Sequence, residues 1–179
     1  DSTLGQAKVQ AMRDRIAQIH PGCRVDAIEE FVDAANWPGI LGLGDGLDRK
    51  QLAVIDACDQ VKAKTAMAAW AIANKVNLVS VGAAGGKRLA HKVDIDDLAL
   101  VTHDPLLAQL RYRLRKEHGA ARKGKIGVSC VFSREPVLQP SAAAQSDGSL
   151  NCHGYGSVVS VTSTFGLCAA GWALDKIAA

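Results

Sequence analysis

The segment Leu52-Ala-Val-Ile-Asp56-Ala-Cys-Asp59-Gln60-Val-Lys62-Ala-Lys64 constrains this chain more than any other. Leu52 to Ile55 is a short apolar run rich in β-branched residues and reads as a buried strand. From Val61 the pattern becomes an Ala-rich helix, running through Met67 and Trp70 towards Lys75. The handover falls on Asp56 to Gln60. A strand passing directly into a helix is the repeating unit of α/β folds, and in open α/β sheets ligands sit at the carboxyl ends of the strands. Asp59 is therefore placed where a carboxylate can hold a metal or a nucleotide. The same residue type is also a favoured helix N-cap, so a purely structural role for Asp59 fits the pattern too.

Composition narrows the class. A chain of 179 residues is one domain by length. Hydrophobic content of 48% and charged content of 22% are ordinary for a soluble globular protein. Aromatics make up only 4%, so Ala, Val, Leu and Ile must supply the core. The net charge of +3 says little about partners, and the distribution of charge says more. The five cysteines, Cys23, Cys58, Cys130, Cys152 and Cys168, are odd in number and form no CxxC. Neither a disulfide framework nor a zinc knuckle is thereby indicated, and a reducing, cytoplasmic setting fits best. His20, His91, His103, His118 and His153 show no metal-ligand spacing. Ser157 to Leu174 is nearly free of charge and approaches the length of a membrane span. Its many Ser, Thr and Gly residues favour a buried helix of an α/β domain over membrane association.

In chain order, Ser2 or Thr3 is expected to cap a helix running to about Ile19, with Val9, Met12, Ile16 and Ile19 on its apolar face. Cys23 to Val32 alternates as a strand would, with Val25, Ala27 and Phe31 inward. Asn36 to Asp48 is a Pro- and Gly-containing loop. After the central strand and helix, Asn77 to Val81 is a second buried strand, closed by the turn Gly82-Ala-Ala-Gly-Gly86. Lys92 to Ile95 reads as a short strand. Asp104-Pro105 opens a helix, with Asp as N-cap and Pro at the first helical position, and Leu106, Leu107, Leu110 and Leu114 form its apolar face. Lys125 to Phe132 is a further strand, Gln139 to Gly156 a long polar loop, and Ser157 to Ala178 a closing helix. This order predicts a parallel sheet with crossover helices. Seven basic residues, Arg111, Arg113, Arg115, Lys116, Arg122, Lys123 and Lys125, face a single acid, Glu117, in the third helix and the loop after it. Such a run is a solvated face or a phosphate-binding surface.

Several motifs now stand in a recognisable order. Leu4-Gly-Gln-Ala-Lys8, followed by Arg15-Ile-Ala-Gln-Ile-His-Pro21, resembles the helix after the adenylate site in the ubiquitin-activating-enzyme-like superfamily, and Asp56-Ala-Cys-Asp59-Gln60 resembles its second nucleotide-contacting element. That superfamily includes the activators of the molybdopterin and thiamine sulfur carriers. Gly82 to Gly86, Asp104-Pro-Leu, Lys125-Ile-Gly-Val-Ser-Cys-Val-Phe-Ser133 and Thr162-Ser-Thr-Phe-Gly166 resemble its tRNA threonylcarbamoyladenosine dehydratase branch.

The resemblance implies an α/β fold with a Rossmann-like, mostly parallel sheet and flanking helices. It also implies that residues 1–179 are the C-terminal two-thirds of a single adenylating domain, because the family's phosphate-cradling Gly-rich turn would precede Asp1. This stretch alone is then expected to be inactive. The implied cofactors are ATP and Mg²⁺. Lys8, Asp59 and Gln60 would bind the nucleotide, and Asp59 would hold the metal and serve catalysis. Cys130 becomes a second catalytic candidate, since related activators use cysteine chemistry, and Cys152, beside His153 in the long loop, stands on the same footing. The implied partners are tRNA, carried by the seven basic residues above, a sulfur-transfer or carrier protein, and a second copy of the chain in a homodimer. The implied reaction is ATP-dependent cyclisation of threonylcarbamoyladenosine in tRNA. Adenylation of a small ubiquitin-like sulfur carrier, or an inactive RNA-binding or dimerisation fragment, would also use these features.

Overall fold

The computed structural model describes residues 3–43, 48–137 and 156–179. Its centre is a four-stranded sheet: β1 (Ala53–Asp56), β2 (Asn77–Val81), β3 (Val93–Asp97) and β4 (Ser129–Ser133), in the spatial order β1-β2-β4-β3. β1, β2 and β4 run parallel. β3 runs antiparallel to β4, pairing Ile95 with Val131 and Asp97 with Ser129, so the sheet is mixed rather than wholly parallel. The predicted Asn77–Val81 strand has those bounds. The strand read over Lys125 to Phe132 is shorter and shifted, because Asp97 takes the backbone N–H groups of Ile126 and Gly127 before β4 begins.

Helices cover both faces. α2 (Val61–Asn74) and α3 (Pro105–Glu117) lie on one side and α4 (Val159–Ala178) on the other. The period of two along the strands sorts the core accordingly. Leu78, Cys130 and Phe132 pack with Ala68, Leu107 and Leu110 beneath α2 and α3. Val79 and Val131 pack with Val161, Phe165 and Ala169 of α4. Asp104 caps α3 by accepting from the Leu107 N–H at 2.9 Å, as its place before Pro105 predicts. α4 is buried along one stripe only. Leu167 and Leu174 are 74% and 68% exposed, so a fully buried helix is not what forms. No helix among the described residues is long and apolar enough to cross a membrane.

The N-terminal part departs furthest from the sequence reading. α1 spans Lys8–Ile19 and begins after Ala7, with no side chain capping it, so Thr3 is not its cap. None of its residues is buried, including Val9, Met12, Ile16 and Ile19. Residues 23–32 form no strand, and Phe31 is 84% exposed. The alternation there has no neighbouring strand to pair with among the described residues, and alternation alone does not satisfy backbone hydrogen bonds. Val32 and Trp37 do reach the core, and Trp37 meets Trp70 of α2 edge-on with centroids 5.4 Å apart. The loop read over Gln139 to Gly156 lies outside the described residues except for Gly156.

Candidate adenylate-binding turn and its supports

β1 ends on Asp56, whose side chain points to the α2 face of the sheet and is buried. Each of its carboxylate oxygens takes two donors. Oδ2 accepts from Lys64 Nζ at 3.0 Å and from Ser80 Oγ at 2.8 Å. Oδ1 accepts from the Cys58 N–H at 3.3 Å and from the Cys58 thiol at 3.1 Å. The bond to the N–H two residues on folds the chain back into a turn, a habit of Asp at such positions. Ser80 stands opposite Asp56 in the β1–β2 register, so the two strand ends are tied through one carboxylate.

Lys64 completes the cluster and is fully buried. Besides Asp56 Oδ2 it donates to the carbonyl oxygens of Val81 at 2.8 Å and Asp56 at 3.3 Å and to Ser80 Oγ at 3.2 Å. A buried ammonium is tolerable only when paired and hydrogen-bonded in this way. Lys64 was not singled out in the sequence. The signal was its place in the stripe Val61, Lys64, Thr65, Ala68, Ala71, all buried in α2. A lysine on the apolar face of a helix needs a buried acid, and Asp56 stands eight residues upstream.

The consequence is a rigid turn with an exposed crest. Asp59 and Gln60 are exposed and have no side-chain hydrogen bond among the described residues. Gln60, not Asp59, occupies the cap position of α2, and no side chain caps that helix. The first-turn N–H groups therefore have no competing side-chain acceptor, a setting that suits an anion. Burial, the neighbouring Asp56 charge and its hydrogen bond push the Cys58 thiol up to about 12, so it is a protonated donor in the turn.

A second buried lysine supports the adjoining corner. Lys87 Nζ donates to the carbonyl oxygens of His103, at 2.8 Å, and Glu135. Burial pushes its amine down, and the Asp104 and Glu135 charges recover part of that. Burial likewise raises the Asp104 carboxyl, with the Leu107 and Ala83 N–H groups acting against it. Burial works upward on Glu135 too, yet the N–H groups of Leu89 and Arg88, with Lys87 and Arg88, bring it below the usual carboxylate range. Gly82 approaches Asp104 so closely that a Cβ there would stand 2.1 Å from Oδ2. The glycine turn after β2 and the start of α3 are thereby locked together.

The other sequence-derived residues sort clearly. Lys8 is exposed at the start of α1, and no hydrogen bond or ion pair joins it to Asp59 or Gln60 among the described residues. Cys130 is fully buried in β4, donates weakly to the Val128 carbonyl at 3.7 Å, and burial pushes its thiol far up. Those are the surroundings of an inert core cysteine rather than of a nucleophile. Arg111 is spent on the fold, donating to the Leu98 and Val101 carbonyls at 2.9 Å each. Arg115 holds the Ala121 carbonyl at 3.1 Å, and Arg113 lies 3.5 Å from Glu117. Lys116, Arg122, Lys123 and Lys125 are exposed. Cys152 and His153 lie outside the described residues. No group of three or more potential metal ligands occurs among the described residues.

The chain is similar to proteins of known name and structure. The tRNA threonylcarbamoyladenosine dehydratase of Escherichia coli K12 is 38% identical over 188 residues, which cover 98% of this chain and 68% of the relative. The Haemophilus influenzae protein of that name is 34% identical over 180 residues, covering 98% of this chain and 67% of its own. The crystal structure of the E. coli dehydratase in complex with ATP superposes with a TM-score of 0.81 at 38% identity, over 97% of this chain and 64% of that one. The chain thus spans about two thirds of the length of these relatives, and the Rossmann-like α/β fold is shared with them. The ThiF family model matches residues 1–177, and with relatives above 30% identity across nearly the whole chain, the protein belongs to the ThiF family.

Proposed function

We propose that this chain is part of an enzyme that uses ATP to activate the carboxylate of threonylcarbamoyladenosine in tRNA, leading to ring closure with net loss of water. The observation that carries the reading is the exposed Asp59–Gln60 crest, at the carboxyl end of β1, on a turn pinned by the buried Asp56–Lys64–Ser80 cluster. Its relatives bear the name of that activity, and the E. coli one is solved both with ATP and with AMP. In this reading residues 1–179 form part of a single adenylating domain.

ATP supplies the adenylyl group that turns the carboxylate oxygen into a leaving group. The residues of this chain position and neutralise, as phosphoryl-transfer sites mostly do. Asp59 and Gln60 contact the nucleotide from the turn. Asp59 would be the residue to hold Mg²⁺, which would neutralise phosphate charge there; a single protein carboxylate suits that ion, since Mg²⁺ is commonly held by one or two carboxylates plus substrate oxygens. Lys8, exposed at the head of α1, supplies positive charge to the phosphates. The tRNA backbone lies along Lys116, Arg122, Lys123 and Lys125, with Arg113 and Arg115 beside them. A cytoplasmic homodimer completes the reading, supported by the uncovered apolar side chains of α4. The buried, raised Cys130 gives no support to a sulfur-transfer partner.

The test is to incubate the enzyme with ATP, Mg²⁺ and tRNA carrying the open nucleoside. AMP release together with a nucleoside lighter by one water is expected. AMP formation that requires a carrier protein and leaves the tRNA unchanged would instead identify a carrier-activating enzyme.

A further inference from the structure

An open cavity of about 360 Å³ lies between α2, α3 and the loop that carries Trp37. That volume is within the range of small-ligand sites. Two of its walls are the half-buried rings of Trp37 and Trp70, set at 87° to each other. Lys62, Arg113 and His118 also line it, against a single acid, Glu117. Lys62 lies in the first turn of α2, two residues after Gln60. Arg113, Glu117 and His118 lie at the end of α3, beside the exposed Lys116 and the basic loop that follows.

The lining defines the ligand. Aromatic walls favour a flat ring, which they can hold by stacking or edge-on contact. Lys62 and Arg113, the latter a half-buried guanidinium 3.5 Å from Glu117, outnumber that one acid and favour an attached anion. A purely apolar guest would leave the cations unused, and an acidic peptide would leave the tryptophans unused. A ring carrying a phosphate uses both. We propose that this cavity takes one unstacked nucleotide of the RNA substrate, its base against Trp37 and Trp70 and its phosphate on Lys62 and Arg113. The inference rests on the tRNA reading above and adds a subsite to it. The cavity is lined by Lys62, three residues after Asp59, and by Arg113 of α3, so a nucleotide held there would set the register of the RNA relative to the Asp59 turn.

The probe is a short RNA hairpin with a single-stranded loop, compared with the same hairpin made abasic in the loop. In a Trp172→Phe background, the hairpin should quench tryptophan fluorescence and the abasic hairpin should not. Trp37→Leu should weaken hairpin binding about 10-fold, the order expected for loss of one base–aromatic stack. The abasic hairpin should bind both proteins alike, and ATP affinity should not change. Lys62→Gln with Arg113→Gln alters only side chains that reach solvent, so it remains informative if Trp37→Leu fails to fold. That pair should lower hairpin affinity and flatten the salt slope by about 0.7, the value for one phosphate on a single strand. Unquenched fluorescence, with Trp37→Leu and the paired variant binding the hairpin as the native protein does, would overturn the subsite and leave the tRNA reading standing. No binding of hairpin or tRNA by the native protein would overturn both.

Discussion

Two lysines are buried in this protein, and they are held in opposite ways. Lys64 meets a carboxylate directly, so its charge is balanced within the network at the ends of β1 and β2. Lys87 meets carbonyl oxygens instead. The nearby Asp104 and Glu135 carboxylates hold backbone N–H groups. Its burial is thus balanced by dipoles and by charges at one remove, and its amine is pushed down as a result. The difference separates two kinds of support. The Asp56–Lys64 pair shapes a turn whose crest is exposed and chemically free. The Lys87 corner fastens a glycine loop to a helix start.

The largest expected effect follows from the direct pair. Lys64→Met strands the Asp56 charge in the core and should cost about 3–5 kcal/mol in urea unfolding. Adding Asp56→Asn should recover part of that loss, since Asn leaves no charge behind. If the double variant is no more stable than Lys64→Met, the pair is not the electrostatic unit described here.

A smaller effect is expected at the corner. Lys87→Met deprives two carbonyls of a donor without stranding a carboxylate, and should cost about 1–3 kcal/mol. It also carries a pH signature. The folded-state pKa lies below the ordinary 10.5, so between the two values the unfolded chain binds more protons and stability rises with pH. The stability difference between the native protein and Lys87→Met should therefore widen as the pH climbs towards 10.5. A difference independent of pH would mean that Lys87 is not penalised by its burial.

The smallest effect is kinetic. At mildly alkaline pH, among Cys23, Cys58 and Cys130, alkylation should reach exposed Cys23 first, Cys58 well after it and buried Cys130 last. Cys58 is retarded by burial and by Asp56, which push its thiol up to about 12. Cys58 labelling as fast as Cys23 would show that its bond to Asp56 is absent in solution.

The same contrast explains what was legible in the sequence. Strands β1 and β2, helices α2 and α3, and the Asp104 cap follow from local pattern, because hydrophobic period and cap chemistry act within a few residues. The direction of β3 was not legible, since a five-residue strand carries no mark of which neighbour it will pair with. Residues 23–32 mislead because alternation forms a strand only where a partner strand exists. The crest Asp59–Gln60 was readable from the strand-to-helix handover. Its supports were not, because a lysine in a helix is ordinarily a solvated one. Lys64 becomes visible only when its place in the apolar stripe of α2 is set against a strand-ending aspartate. The seven basic residues read as one surface, yet Arg111 is committed to carbonyls that lie far from it in sequence, at Leu98 and Val101.

The central claim is that the Asp56–Lys64 cluster builds a turn in order to present Asp59. Asp59→Asn in the whole enzyme of which this chain is part tests it most directly, with ATP-dependent AMP formation on tRNA and the melting temperature measured on the same preparation. Asp59 is exposed and does not cap α2, so the melting temperature should be unchanged. Activity should fall by about 100-fold or more, the scale seen when one preorganised electrostatic contact is removed from an active site. Normal AMP formation by Asp59→Asn, with or without a lower melting temperature, would contradict the account.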